Sequence, residues 1–197
     1  MEMQNNILKF ALFGAAGFGL GGLLYGISIQ TPLPGTSFYV LLTLFGFAAQ
    51  AGVGGLALAM ALGVNPPRAL KMVLFCIFGF LAARYLLLLP LFFVIGDRFS
   101  GNPPESYVLN LLLGFISGVG AGIGIWLSSG LRRSVGLLIL SGGIGFGFGL
   151  LITTPLYYGL SPQHWLGYTV AGTIGGGVLG AAMGSMQTAA VGHEKNS

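Results

Sequence analysis

The chain has 197 residues, of which 54% are apolar and only 6% charged, and its formal net charge is +4. A water-soluble domain carries roughly a quarter charged residues, so a mean hydropathy of +0.88 excludes a solvated globular surface and points to an integral membrane protein. The apolar runs are continuous rather than alternating, which argues for spanning helices over a β-barrel, the other structure that satisfies its backbone within lipid.

Taken in order, the first apolar run covers residues 7–29 and follows a short polar start. Its length suits a membrane helix better than a cleaved leader, whose apolar core is shorter. Further runs at 38–63, 69–96, 106–129, 134–158 and 165–186 are joined by short stretches containing Pro, Gly, Asn and Ser. Each run reaches the ~20 residues a helix needs to cross a hydrocarbon core. The expected fold is therefore an all-α integral membrane protein of six transmembrane helices, forming a single transmembrane domain over residues 1–197.

The basic residues set an orientation. Lys9, Arg68, Lys71, Arg132, Arg133 and Lys195 fall at one set of helix ends, and Arg98 stands at the other with Asp97 and Glu105. The positive-inside rule then puts both termini in the cytoplasm. Tyr25, Tyr39, Tyr107, Tyr157, Tyr158, Trp165 and Tyr168 lie towards the opposite ends, where an interfacial aromatic belt is expected, and Trp126 lies near the inner side.

The third run is the bulkiest, and near its middle stands Arg84, the charged residue set deepest in any apolar segment. At the bilayer centre an arginine costs about 2.5–3.5 kcal/mol on insertion scales, so an intramembrane cation calls for a role. Two roles fit. The guanidinium can lock the bundle by donating to backbone carbonyls or Gln50, or it can hold an anion bidentately. Gln50 and Tyr85 are the neighbouring polar candidates for a substrate-binding site with it.

Glycine dominates the other runs. Gly114, Gly118 and Gly122 in the fourth, and Gly172, Gly176, Gly180 and Gly184 in the sixth, recur every four residues, as do Ala51, Gly55, Ala59 and Gly63 in the second. Residues at that spacing share a helix face and let two backbones approach closely, which makes these stripes helix-packing surfaces. Glycine beyond one stripe per helix points to further contacts, within the chain or with a second copy or another membrane protein. A shift of 123 residues lays Gly19, Gly22 and Gly26 over Gly142, Gly145 and Gly149, and Thr31-Pro32-Leu33 over Thr154-Pro155-Leu156. The economical arrangement is three tandem helical hairpins about a pseudo-threefold axis. In that register Arg84 takes the place of Gly26 and Gly149, whose missing side chains would leave it room.

Catalytic chemistry has little to work with. Cys76 has no cysteine partner, and His164 and His193 lie outside the apolar runs. Ser117 lacks an intramembrane base to activate it. The G-x-G-x-x-G of Gly17, Gly19 and Gly22 follows no strand, so it is not a dinucleotide fingerprint. Glu2, Asp97, Glu105 and Glu194 all lie outside the spans, which disfavours proton or sodium pumping through a carboxylate relay. The expectation is no enzyme, no cofactor, no metal and no nucleic-acid partner. Its partners are the lipid bilayer and, for a glycine-rich bundle, further copies or a membrane complex. Two functions follow: a small-solute transporter or channel centred on Arg84, with an anion as the fitting solute, or a structural subunit of a larger assembly.

Overall fold

The computed structural model describes residues 2–30, 36–87, 103–131, 135–158 and 163–194. These form α1 (Glu2–Gln30), α2 (Thr36–Leu62), α3 (Pro66–Ala82), α4 (Pro103–Ser129), α5 (Val135–Tyr158) and α6 (His164–Glu194). All six are long and apolar enough to cross a membrane, the third being completed by a π-helical turn at Ala83–Leu87. Large apolar side chains point outwards around the bundle, including Phe45 and Phe78, each 72% exposed. Such a surface is stable only against lipid, and the protein is a multi-pass membrane protein. The third apolar run was expected to reach residue 96; residues 88–96 lie outside the described residues.

The helices close into a ring. Each packs on the next in sequence, α6 returns to α1, and α2 also touches α4 and α6 across the interior. The glycine stripes set the register. Cβ atoms at Gly172, Gly176 and Gly180 of α6 would fall on the backbone carbonyls of Phe18, Gly14 and Phe10 of α1. On the next turn, a Cβ at Gly184 would meet Ile7 and Asn6. In α4, Gly114, Gly118 and Gly122 stand in the same relation to Phe146, Gly142 and Leu138 of α5. One partner ascends by four as the other descends by four, which is antiparallel meshing turn by turn. Gly55 of α2 lies against Met72 and Cys76 of α3 in the same way. Lipid supplies no hydrophobic drive between helices, so this backbone-on-backbone dispersion contact is what holds the ring.

The interior is filled by aromatic rings that sit on glycines. Phe18 of α1 rests on Gly54 of α2, and Phe146 of α5 rests on Gly175 of α6. Phe146 meets Phe18 edge-on at 5.1 Å between ring centroids and Phe80 of α3 at 6.0 Å. Phe10, Leu58, Met72, Ile125, Leu138, Leu179 and Met183 pack the interior with them. The ring of helices encloses a solid core rather than a pore.

Two turns at the basic end are specified locally. Gly63 ends α2 with φ +65°, and the N–H groups of Gly63 and Val64 donate to the Met60 and Ala59 carbonyls, a Schellman closure. Asn65 then caps α3 by accepting from the Arg68 N–H, with prolines opening the helix where their missing N–H costs nothing. The end of α4 is built across the seam. Gly130 adopts φ +76°, and the Arg68 guanidinium passes over it to donate to the Ser129 carbonyl at 2.6 Å. A cation on the last carbonyls of a helix is favourable for its dipole as well as its hydrogen bonding.

Candidate functional site

Arg84 lies within the π turn that follows α3. At 1.5 Å per residue it stands about 27 Å along the helix from Pro66. Gln50, Ser117 and Phe146, which share a cavity with it, stand near the middles of α2, α4 and α5, so the charge is carried level with the centres of those helices. A π turn inserts an extra residue and swings the following side chains around the helix, a feature that recurs at functional sites. Here the Arg84 guanidinium carbon sits 3.7 Å from the centroid of the Phe47 ring of α2. The same ring stacks on Tyr25 at 4.0 Å, and Tyr25 meets Tyr168 edge-on at 4.4 Å.

Arg84 also lines an interior cavity of about 10 Å³ together with Gln50 of α2, Ser117 of α4, and Phe47, Phe80, Phe146 and Tyr168. That is room for about one water molecule. Gln50 and Ser117 are buried, at 3% and 2% exposure, and the Ser117 Oγ has no hydrogen-bond partner among the described residues. An unpaired buried hydroxyl costs about 1–3 kcal/mol unless something in the cavity satisfies it. Among the described residues no carboxylate and no hydrogen-bond acceptor pairs with Arg84, whose fork carries five N–H donors. The site therefore gathers a cation, an amide and an unpaired hydroxyl around a small space.

Of the sequence candidates, Arg84 and Gln50 come together and Tyr85 does not: half-buried in the π turn, it is absent from the cavity wall. The room beside Arg84 has a different origin from the one expected. Gly26 and Gly149 both lie against the α6 backbone, at Trp165 and Ala171, so their missing side chains seat a helix rather than the arginine. The cavity is instead walled on the α4 side by Gly114 and Ser117.

The aromatic belt is also only partly present. Trp165 and Tyr107 are 40% and 38% exposed at helix ends, where lipid headgroups would meet them. Tyr25 is 3% exposed and belongs to the interior cluster. The side chains of Tyr39, Tyr157 and Tyr158 lie outside the described residues. Sequence reading did not single out Phe47, whose ring seats Arg84. Its three-residue spacing from Gln50, which puts both on one helix face, was the available signal.

A second buried polar link fixes the neighbouring seam: Asn110 of α4 donates to the Thr154 Oγ1 of α5 at 3.1 Å. Thr154 in turn donates to the Leu150 carbonyl at 2.9 Å, one turn earlier, beside Pro155. This tie holds α4 and α5 next to the cavity wall formed by Gly114, Phe146 and Leu150. Comparison with protein-family models, with curated proteins and with solved structures finds no match.

Proposed function

We propose that the chain is a small-anion channel or carrier in its closed state, with Arg84, Gln50 and Ser117 as the binding site. One observation carries this reading. A guanidinium with no carboxylate partner among the described residues, an amide and an unpaired hydroxyl converge on one cavity inside a membrane bundle. The N–H groups of the guanidinium and of the Gln50 amide, with the Ser117 O–H, can all donate to an anion, and a guanidinium in such a place holds one through paired N–H groups. Phe47 and Tyr25 support the arginine from behind, keeping its fork aimed while the cavity is empty. No catalytic step is part of the reading.

The closed state is set by aromatic rings. Phe80 and Phe146 wall the cavity and Phe18 abuts Phe146, so an anion passes only when this cluster shifts. By the positive-inside rule both termini are cytoplasmic. The three even helices laying small-residue stripes on the next odd helix fit three tandem hairpins about a pseudo-threefold axis, with the α3–α4 hairpin as the divergent copy. The alternative of an assembly subunit has less support, because the stripes that would dock a partner are covered within the chain.

The test is ion selectivity. The purified chain in proteoliposomes is expected to dissipate gradients of chloride, nitrate or formate in preference to potassium. Cation flux without anion preference, or no flux of any of these ions, would contradict the proposal.

A further inference from the structure

A second feature lies along the α3–α4 seam, its polar end at the opposite end of α3 from Arg84. At the basic end, Asn65, Arg68, Lys71, Trp126, Ser128 and Gly130 bound an open pocket of about 690 Å³. Directly continuous with it, an apolar groove of about 370 Å³ runs along the same seam between Phe75, Gly79, Ala83, Gly120 and Ile123. Leu127 lines both. The groove exists because Gly79 and Gly120 bring the two backbones together and leave no side chains on the outer face there.

We propose that this seam binds one anionic phospholipid, with its phosphate on Arg68 and Lys71 and an acyl chain along the groove. The charge is complementary, since among the described residues two cations and no carboxylate bound the pocket. Arg68 uses Nη2 on the Ser129 carbonyl, which fixes the guanidinium while the rest of its fork remains for a phosphate. Lys71 is exposed, its Nζ 5.5 Å from the Phe75 ring, with a compact charge suited to a headgroup oxygen. The indole Nε1–H of Trp126, in the same wall, has no acceptor among the described residues. The polar pocket adjoins an apolar groove at Leu127, so the fitting ligand is amphiphilic, and the bilayer supplies one. A cation near an anionic headgroup is worth about fivefold in affinity.

The experiment is native mass spectrometry of the full chain in detergent, with dioleoylphosphatidylglycerol and dioleoylphosphatidylcholine at equal concentration. The expected result is preferential retention of one phosphatidylglycerol, reduced about fivefold by Lys71→Gln. Lys71 is exposed, so that variant should keep the wild-type thermal midpoint. Ala82→Phe, which fills the groove, should weaken retention without touching either cation. Equal retention of the two lipids, or a preference indifferent to both variants, would overturn the proposal. Full displacement by millimolar inorganic phosphate would also overturn it, since a free anion would then be the ligand.

Discussion

The guanidinium of Arg84 lies on the face of Phe47, 3.7 Å from the ring centroid, and this contact ties the π turn after α3 to α2. A cation on an aromatic face contributes about 0.5–2 kcal/mol depending on how far it is desolvated. A double-mutant cycle of Arg84→Met and Phe47→Leu, read by thermal unfolding in detergent, should give a coupling of about 1 kcal/mol. Arg84→Lys should keep the charge and lose part of the coupling, because only the planar group stacks.

The glycine register makes a sharper stability prediction. A Cβ at Gly118 would strike the Gly142 carbonyl, whereas Gly136 faces open space. Gly118→Ala should destabilise by about 1–3 kcal/mol through forced separation of α4 and α5. Gly136→Ala should be neutral or stabilise by up to about 1 kcal/mol, since alanine is the better helix former. Unfolding midpoints of the two variants in one detergent decide it.

The two left-handed glycines separate strain from contact. Gly63 has φ +65° with nothing near its Cβ position, while at Gly130, φ +76°, a Cβ would lie 2.5 Å from the Arg68 guanidinium. Gly63→Ala should cost about 1–2 kcal/mol for backbone strain alone. Gly130→Ala should cost more, and Arg68→Ala should remove the excess. Equal losses for the two alanine variants would show that the Arg68 contact carries no energy.

These features differ in how far they could be read from residues alone. The six spans and the four-residue stripes were legible because apolar length and glycine spacing are properties of a helix by itself. What a residue at a helix end faces is not. Tyr25 looks like a belt tyrosine by depth, yet it stands seven residues after Phe18 and so shares its inward face. Arg84 was legible as an anomaly, but its azimuth was not, since the third run is apolar on every side and the π turn resets the register beyond Ala82. Ser117 is legible from the sequence only as an intramembrane serine with no base to activate it. Only the packing of α4 reveals that its hydroxyl faces the cavity unpaired.

That hydroxyl supports a functional prediction. Ser117→Ala removes an unpaired desolvated hydroxyl at almost no cost in volume, so stability should hold or rise by up to about 1–3 kcal/mol. Anion flux should nevertheless fall, and unchanged flux would remove Ser117 from the site. Phe146→Leu, which trims the ring between Phe18 and Phe80, should raise the flux by loosening the closed cluster.

The central claim is that the Arg84 charge binds the permeant anion, and one comparison tests it most directly. Chloride flux into proteoliposomes is measured for wild type, Arg84→Lys and Arg84→Gln, each first shown to be folded by its thermal midpoint. Flux that survives in the lysine variant and is lost in the glutamine variant is the expected result. Equal chloride flux in all three would contradict the claim and leave Arg84 as a structural tie between α3 and α2.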